Sequence, residues 1–245
     1  MTDALTPVPE DWERALAVVA HPDDLEYGAA AAIAEWTAAG KDVRYLLATR
    51  GEAGIDSLPP EECAAVRTGE QMASAARVGV TEVEFLSHRD GVVENGPGLR
   101  RDITAAIRRH RPELLITLNH HPVWGAERML NTPDHRAVGQ AVLDASGDAG
   151  NRWIFTEQLA GGLLEPWDGV RWIAVAASPF ADRAKEVGEE ALERAVASLR
   201  EHHAYLVGLG VEPETYAREL IIGGAGEAAE RFGGRRCVPF ELFPR

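Results

Sequence analysis

Cysteine is nearly absent: the 245 residues hold two, Cys63 and Cys237. They lie far apart and neither has a close partner, which argues against a disulfide framework and against a thiolate zinc site. Reduced thiols suit a cytoplasmic setting. Basic charge is also scarce. Lys and Arg number 25 against 39 Asp and Glu, a formal net charge of −14. With no basic stretch to neutralise phosphates, nucleic acid and anionic membrane surfaces are poor partners. No apolar run approaches a membrane span, and the opening Met1–Leu5 carries no basic residue, so no signal peptide is expected. Internal repeats and low-complexity tracts are missing too. So is a Gly-x-Gly-x-x-Gly loop after the first apolar run. The turn there is acidic, which repels a pyrophosphate and argues against a nucleotide-binding oxidoreductase.

What is present is an alternation of short apolar runs and longer amphipathic ones. After a lead-in over residues 1–12, strands are expected at Ala15–Val19, Val43–Ala48, Val83–Leu86, Leu114–Leu118 and Trp172–Ala176. Helices are expected at Leu25–Ala39, Glu61–Val78, Leu99–Arg109, Asp134–Ala145 and Ala184–Leu206. Pro59-Pro60 opens the second of these and Gly79 closes it. Residues 207–245, broken by Gly223-Gly224-Ala225-Gly226 and Gly233-Gly234, read as irregular, with turns and a terminal strand. Strands alternating with longer helices predict an α/β fold: three layers, α/β/α, around a mostly parallel, Rossmann-like sheet. The length fits a single domain over 1–245.

Two polar clusters interrupt this pattern. Ala20-His21-Pro22-Asp23-Asp24 directly follows the first strand, where open parallel sheets bind ligands. An Asp-Asp pair there can simply cap a helix, but capping has no use for His21. Asn131-Thr132-Pro133-Asp134-His135-Arg136 opens a later helix after a loop of about fifteen residues, a length that is usually functional. Both clusters fall on one rim of the sheet. Together His21, Asp24 and His135 make two imidazoles and a carboxylate, a common catalytic zinc set that leaves a position for water. Iron(II) binds similar sets.

These two motifs resemble those of the LmbE-like, PIG-L zinc-dependent de-N-acetylases, which include the N-acetylglucosaminyl-phosphatidylinositol and mycothiol-pathway deacetylases. The resemblance covers most of residues 14–206. It takes in Thr49-Arg50-Gly51-Glu52, Arg67 with Glu70, Asp90-Gly91, and Ser198-Leu199-Arg200-Glu201-His202. It implies that His21, Asp24 and His135 bind one zinc, that Asp23 is the general base, and that an N-acyl group, acetyl above all, is hydrolysed from an amino sugar or related small metabolite. The family pattern His-Pro-Asp-His is broken here, because Thr132 stands at its first position and cannot carry charge. His120, His121, Asn131 and Arg50 are candidates for the missing role, although His120 and His121 read more simply as loop histidines. The break keeps a second reading open: a metal-binding relative with little turnover that binds or regulates. Asp134 can orient a ligand or cap its helix. Arg50 and Glu52 can hold a substrate hydroxyl or solvate their loop. Arg67 can reach inward or form a surface ion pair. Trp124 can floor a sugar pocket or pack its loop. The substrate, the oligomeric state and whether copies of the chain associate are not encoded in these motifs.

Overall fold

The computed structural model describes residues 4–124 and 129–245. Among the described residues ten strands follow in chain order: β1 Thr6–Pro7, β2 Arg14–Val19, β3 Asp42–Leu47, β4 Val83–Phe85, β5 Leu114–Leu118, β6 Val123–Trp124, β7 Met129–Leu130, β8 Trp172–Ala176, β9 Arg183–Glu186 and β10 Cys237–Pro244. The α-helices are α1 Asp24–Gly28, α2 Ala30–Ala38, α3 Pro60–Arg77, α4 Pro97–His110, α5 Pro133–Asp148, α6 Glu189–Arg200, α7 His203–Gly208 and α8 Pro213–Ala229. Eight strands form one sheet in the order β1-β9-β10-β8-β5-β2-β3-β4. Its centre, from β8 through β5, β2 and β3 to β4, is parallel. β10 runs antiparallel to both β8 and β9. β6 and β7 pair separately.

The strand period builds the layers. Side chains two apart share a face, so β2 sends Ala15, Ala17 and Val19 to one core and Leu16 and Val18 to the other. The first core is closed by α1, α2 and α6, through Leu25, Ile33, Trp36 and Leu192. The second is closed by α4 and α5, through Ile103, Ile107, Val138 and Val142. A strand buried on both faces must be largely apolar, as Ala15–Val19 is throughout and Leu114–Leu118 is apart from Thr117. The expected three-layer α/β architecture is therefore the one observed.

Three expectations need correction. The helix expected over Leu25–Ala39 is two helices, broken at Ala29 (φ −139°, ψ −11°). Just before the break Gly28 presses onto the sheet, where a Cβ would lie 2.8 Å from the Leu118 side chain and 3.1 Å from that of Ala176. The helix expected over Ala184–Leu206 is a strand and two helices. Arg183–Glu186 has good helix formers, but its backbone is taken by β10 and β1 at the sheet's margin, and tertiary pairing overrides propensity. Residues 207–245 are more regular than expected, since α8 runs through Gly223-Gly224-Ala225-Gly226. Glu212 caps it, accepting from Glu214 N at 3.1 Å and Thr215 N at 2.8 Å. Pro213 starts it. Burial of Ala217 and Ala225 offsets glycine costs of up to about 1 kcal/mol each. The terminal strand is present as β10.

One buried cation organises the far side. Arg108, 2% exposed, donates Nε to Ala149 O at 3.1 Å and Nη2 to the carbonyls of Asp148, Asn151 and Ile154 at 3.1, 2.8 and 3.0 Å. Nη1 reaches Phe155 O at 3.3 Å and Gln158 Oε1 at 2.8 Å. The guanidinium thus replaces water for the loop that leaves α5. Arg108→Met keeps the apolar stem and strands these acceptors, so a loss of about 3 kcal/mol is expected. Thermal unfolding should show a Tm lower by roughly 6–12 °C.

Candidate metal centre and active site

The rim at the carboxyl ends of the parallel strands gathers the polar residues. His21 and Asp23 lie in the turn after β2, and Asp24 begins α1. The loops after β3 and β4 bring Glu52 and Asp90. The connection after β5 ends at Thr132, the N-cap of α5, and His135 stands in that helix's first turn.

Hydrogen bonds fix which atoms remain free. Asp24 Oδ2 accepts from the backbone N–H of Ala20 at 3.0 Å and of His21 at 2.9 Å, which leaves Oδ1. Asn131 spends its amide nitrogen on the carbonyls of Asn119 and His121, at 2.7 and 2.9 Å. Its Oδ1 therefore faces His135 Nδ1, at 3.0 Å, and that nitrogen must carry the proton. His21 Nε2 lies 3.0 Å from Asp90 Oδ1 and 3.2 Å from Asp134 Oδ2, so it too is the protonated nitrogen. Three lone pairs then converge: His21 Nδ1, His135 Nε2 and Asp24 Oδ1. They are separated by 3.2 Å (His21–His135), 2.9 Å (His135–Asp24) and 3.7 Å (His21–Asp24). Acceptors this close need a proton or a cation between them. Ligands at ~2.0–2.1 Å from a tetrahedral ion sit about 3.3 Å apart. The donor set and its spacing fit a divalent ion such as zinc.

The surrounding carboxylates make this a place that favours positive charge. Burial opposes charge on Asp24, yet the imidazoles of His135 and His21 hold its carboxyl far below the usual range. Burial likewise opposes charge on His21, but the carboxylates of Asp24, Asp134 and Asp90 outweigh it and raise its pKa. Asp23 beside them behaves differently. Burial pushes it up to about 6, against the Arg67 guanidinium, which pulls it down. Arg67 Nη2 lies 3.2 Å from Asp23 Oδ1 and also donates to Pro22 O. It fits there because Gly51 and Gly54 leave the space, and a Cβ at either would collide with the guanidinium. A cavity of about 800 Å³ opens from these groups, lined by His21, Asp23, Asp24, Arg67 and His135 together with Tyr27, Leu118, Trp124 and Tyr205.

The sequence pattern of a known family runs through these elements: the profile described as PIG-L, GlcNAc-PI de-N-acetylase, matches residues 16–146, more than half of the chain. The chain belongs to the PIG-L family. It is similar to a 1D-myo-inositol 2-acetamido-2-deoxy-alpha-D-glucopyranoside deacetylase of Kineococcus radiotolerans, 30% identical over 63% of this chain and 49% of the relative. It is similar to a diacetylchitobiose deacetylase of Thermococcus kodakarensis, 30% identical over 57% of this chain and 51% of the relative. The chain thus spans about half the length of these two curated relatives. In fold it resembles the N,N'-diacetylchitobiose deacetylase of Pyrococcus horikoshii, with a TM-score of 0.83 at 24% identity over 96% of this chain and 85% of that one.

Within the PIG-L pattern the remaining expected residues divide. Asp134 both orients and anchors: Oδ2 accepts from Gly91 N at 2.7 Å and Oδ1 from Val93 N at 3.0 Å while facing His21. Asn131 supports His135. Arg67 reaches inward. Trp124 lines the cavity, with its ring edge-on to His135 at 5.6 Å. Thr132, where the family pattern has histidine, caps α5, its Oγ1 accepting from His135 N at 3.2 Å. The candidates for that histidine's role do not reach the cavity wall. Arg50 stacks on Phe85, its guanidinium 5.2 Å from the ring. His121 Nε2 is held by Glu241 Oε2 at 2.7 Å. His120 packs on His121 at 4.3 Å, and burial, with His121 beside it, lowers its pKa. Glu52 spends both oxygens on backbone, accepting from Asp90 N at 2.9 Å and Arg50 N at 3.2 Å. It ties two loops together and is not among the residues that line the cavity.

Four residues were not singled out from sequence as site members. Asp90 orients His21, and its place after a rim-bound strand was the available signal. Tyr205 lines the cavity beside Asp23, and burial together with the Asp23 charge raises its pKa. Arg67 Cζ sits 4.1 Å over its ring. Gln71 and Glu26 lie behind Asp23. Nothing in sequence distinguishes them from helix-face polar residues.

Proposed function

We propose that this protein is a zinc-dependent hydrolase that removes an N-acyl group, acetyl above all, from an amino sugar or related small metabolite. The observation that carries the reading is the convergence of three lone pairs beside a second carboxylate, Asp23, at the floor of an open cavity. The names of the relatives, deacetylases of N-acetylated sugars, support the substrate class. A divalent ion held by His21, Asp24 and His135 supplies a Lewis acid for the amide carbonyl and makes nearby water more acidic.

The chain's own residues do the rest. Asp23 accepts a proton from the attacking water as the new carbon–oxygen bond forms. Burial, which raises the pKa of Asp23, favours its taking up a proton. Arg67 holds the carboxylate in place. Asp23 then gives the proton to the departing nitrogen as the carbon–nitrogen bond breaks, releasing carboxylate and amine. Tyr205, a neutral phenol whose pKa burial and Asp23 raise, is a hydroxyl donor among the described cavity residues. Asn131, Asp90 and Asp134 fix the two imidazoles. Iron(II) is the alternative ion. The continuous sheet supports residues 1–245 working as one unit.

Thr132 also favours a second reading, a metal-binding relative with little turnover. One experiment separates the two. Zinc-loaded protein is incubated with a panel of N-acetyl amino sugars, including N,N'-diacetylchitobiose, and primary-amine release is measured. Amine release that is abolished by chelation and restored by zinc is expected. Stoichiometric zinc with no amine release from any member would leave the binding reading.

A further inference from the structure

Asp23 precedes α1 as its N-cap, yet its side chain makes no capping hydrogen bond, and its backbone is left-handed (φ 92°, ψ −22°). N-cap residues ordinarily sit in the β region and spend their side chain on the helix. A non-glycine residue at such a φ persists only where its surroundings enforce it. The departure leaves the carboxylate free for the cavity, and some group must hold the backbone.

That group is Gln71 on α3, 1% exposed. Its Oε1 accepts from Asp23 N at 2.9 Å, and its Nε2 donates to Glu26 Oε1 at 3.2 Å. A carboxylate can only accept, so Glu26 fixes which end of the Gln71 amide faces Asp23. If the amide turned over, Nε2 would meet an N–H and Oε1 a carboxylate. Glu26 is itself fully buried and held by Ser74 Oγ at 2.7 Å, by Ser198 Oγ at 3.4 Å and, on its other oxygen, beside His202 Nε2 at 3.5 Å. A carboxylate removed from water, with helices α3 and α6 supplying its donors, is costly to build. None of these groups faces the converging lone pairs.

We propose that Glu26 and Gln71 are positioning residues: the buried carboxylate locks the Gln71 amide, which holds the Asp23 backbone left-handed and so aims its carboxylate into the cavity. The catalytic consequence rests on the hydrolase reading above; the hold on the backbone does not. Two readouts keep them apart. The first is amide hydrogen exchange at Asp23 in the full chain, which needs no turnover. Gln71→Met, similar in volume, should raise it at least roughly tenfold, since the N–H loses its acceptor. The second is steady-state kinetics with zinc-loaded protein and N,N'-diacetylchitobiose. Gln71→Met should lower kcat by roughly 10- to 100-fold, with KM and zinc content unchanged.

The charge swap is the stricter test. Gln71→Glu alone puts two carboxylates in contact, whereas Glu26→Gln/Gln71→Glu again presents one oxygen of residue 71 to Asp23 N–H and sets an amide donor of residue 26 opposite its other oxygen. The double variant should recover exchange protection and kcat relative to Gln71→Glu, a coupling that simple loss of packing does not produce. It also serves if Gln71→Met does not fold. Unchanged Asp23 exchange in Gln71→Met, or a double variant no better than Gln71→Glu, overturns the proposal. If wild-type protein hydrolyses no probe, the hydrolase reading fails and the exchange experiment still decides the positioning.

Discussion

Asp23→Asn protein should bind its metal as the wild type does and lose roughly 10²–10⁴ of its turnover, the range typical of general-base removal. The side chain keeps its volume and loses only the proton-accepting charge. None of the three converging atoms belongs to Asp23, so the ion's donors are untouched. The backbone N–H of residue 23 still reaches Gln71. Arg67, 2% exposed, loses an ionic partner but retains Pro22 O and Gly51 O, so folding should hold. Zinc analysis and kcat on the same preparation make the measurement. Near-normal turnover in Asp23→Asn would assign Asp23 a structural role and require another base.

His135→Ala should fail earlier, at metal binding. It removes one of three donors and leaves Asn131 Oδ1 with only the Thr132 N–H of its two partners. Losing an outer hydrogen bond to a ligand costs roughly 10–100-fold in affinity, and losing the ligand itself should exceed that. Protein purified without added metal should then carry well under one equivalent, and turnover should be absent. Thermal unfolding adds a check independent of activity. An ion that binds only the folded state raises Tm, so added zinc should stabilise wild type and leave His135→Ala almost unmoved. Equal stabilisation of both proteins would place the ion elsewhere.

Much of the fold was legible in the sequence because its strands are buried on both sides. Leu114–Leu118 and Trp172–Ala176 appear with the bounds their apolar runs suggested, since no other element of that length tolerates so little polarity. Where the signal was propensity alone, it misled. Arg183–Glu186 is locally helix-like and becomes a strand through a pairing partner some 50 residues away. The glycines of α8 suggested turns, but a cap at Glu212 and burial of one helix face outweighed them.

The site divides along the same line. The sequence alone determined the chemistry available: His21, Asp23 and Asp24 within four residues after a strand, and His135 at the start of a later helix. Those positions follow from chain order, because successive parallel strands deliver their carboxyl ends to one rim. Only the tertiary structure decided which atoms are free to act. Whether His21 presents Nδ1 or Nε2 depends on Asp90 and Asp134 from two other loops. Whether Asp23 caps its helix or faces the cavity depends on Gln71 and Arg67 from α3. Whether Arg50, His120 or His121 could stand in for the histidine that Thr132 replaces depends on Phe85 and Glu241, which draw them away. Residue type fixes what a group can donate or accept. Its partners, which a linear pattern does not name, fix what remains to be given to a substrate.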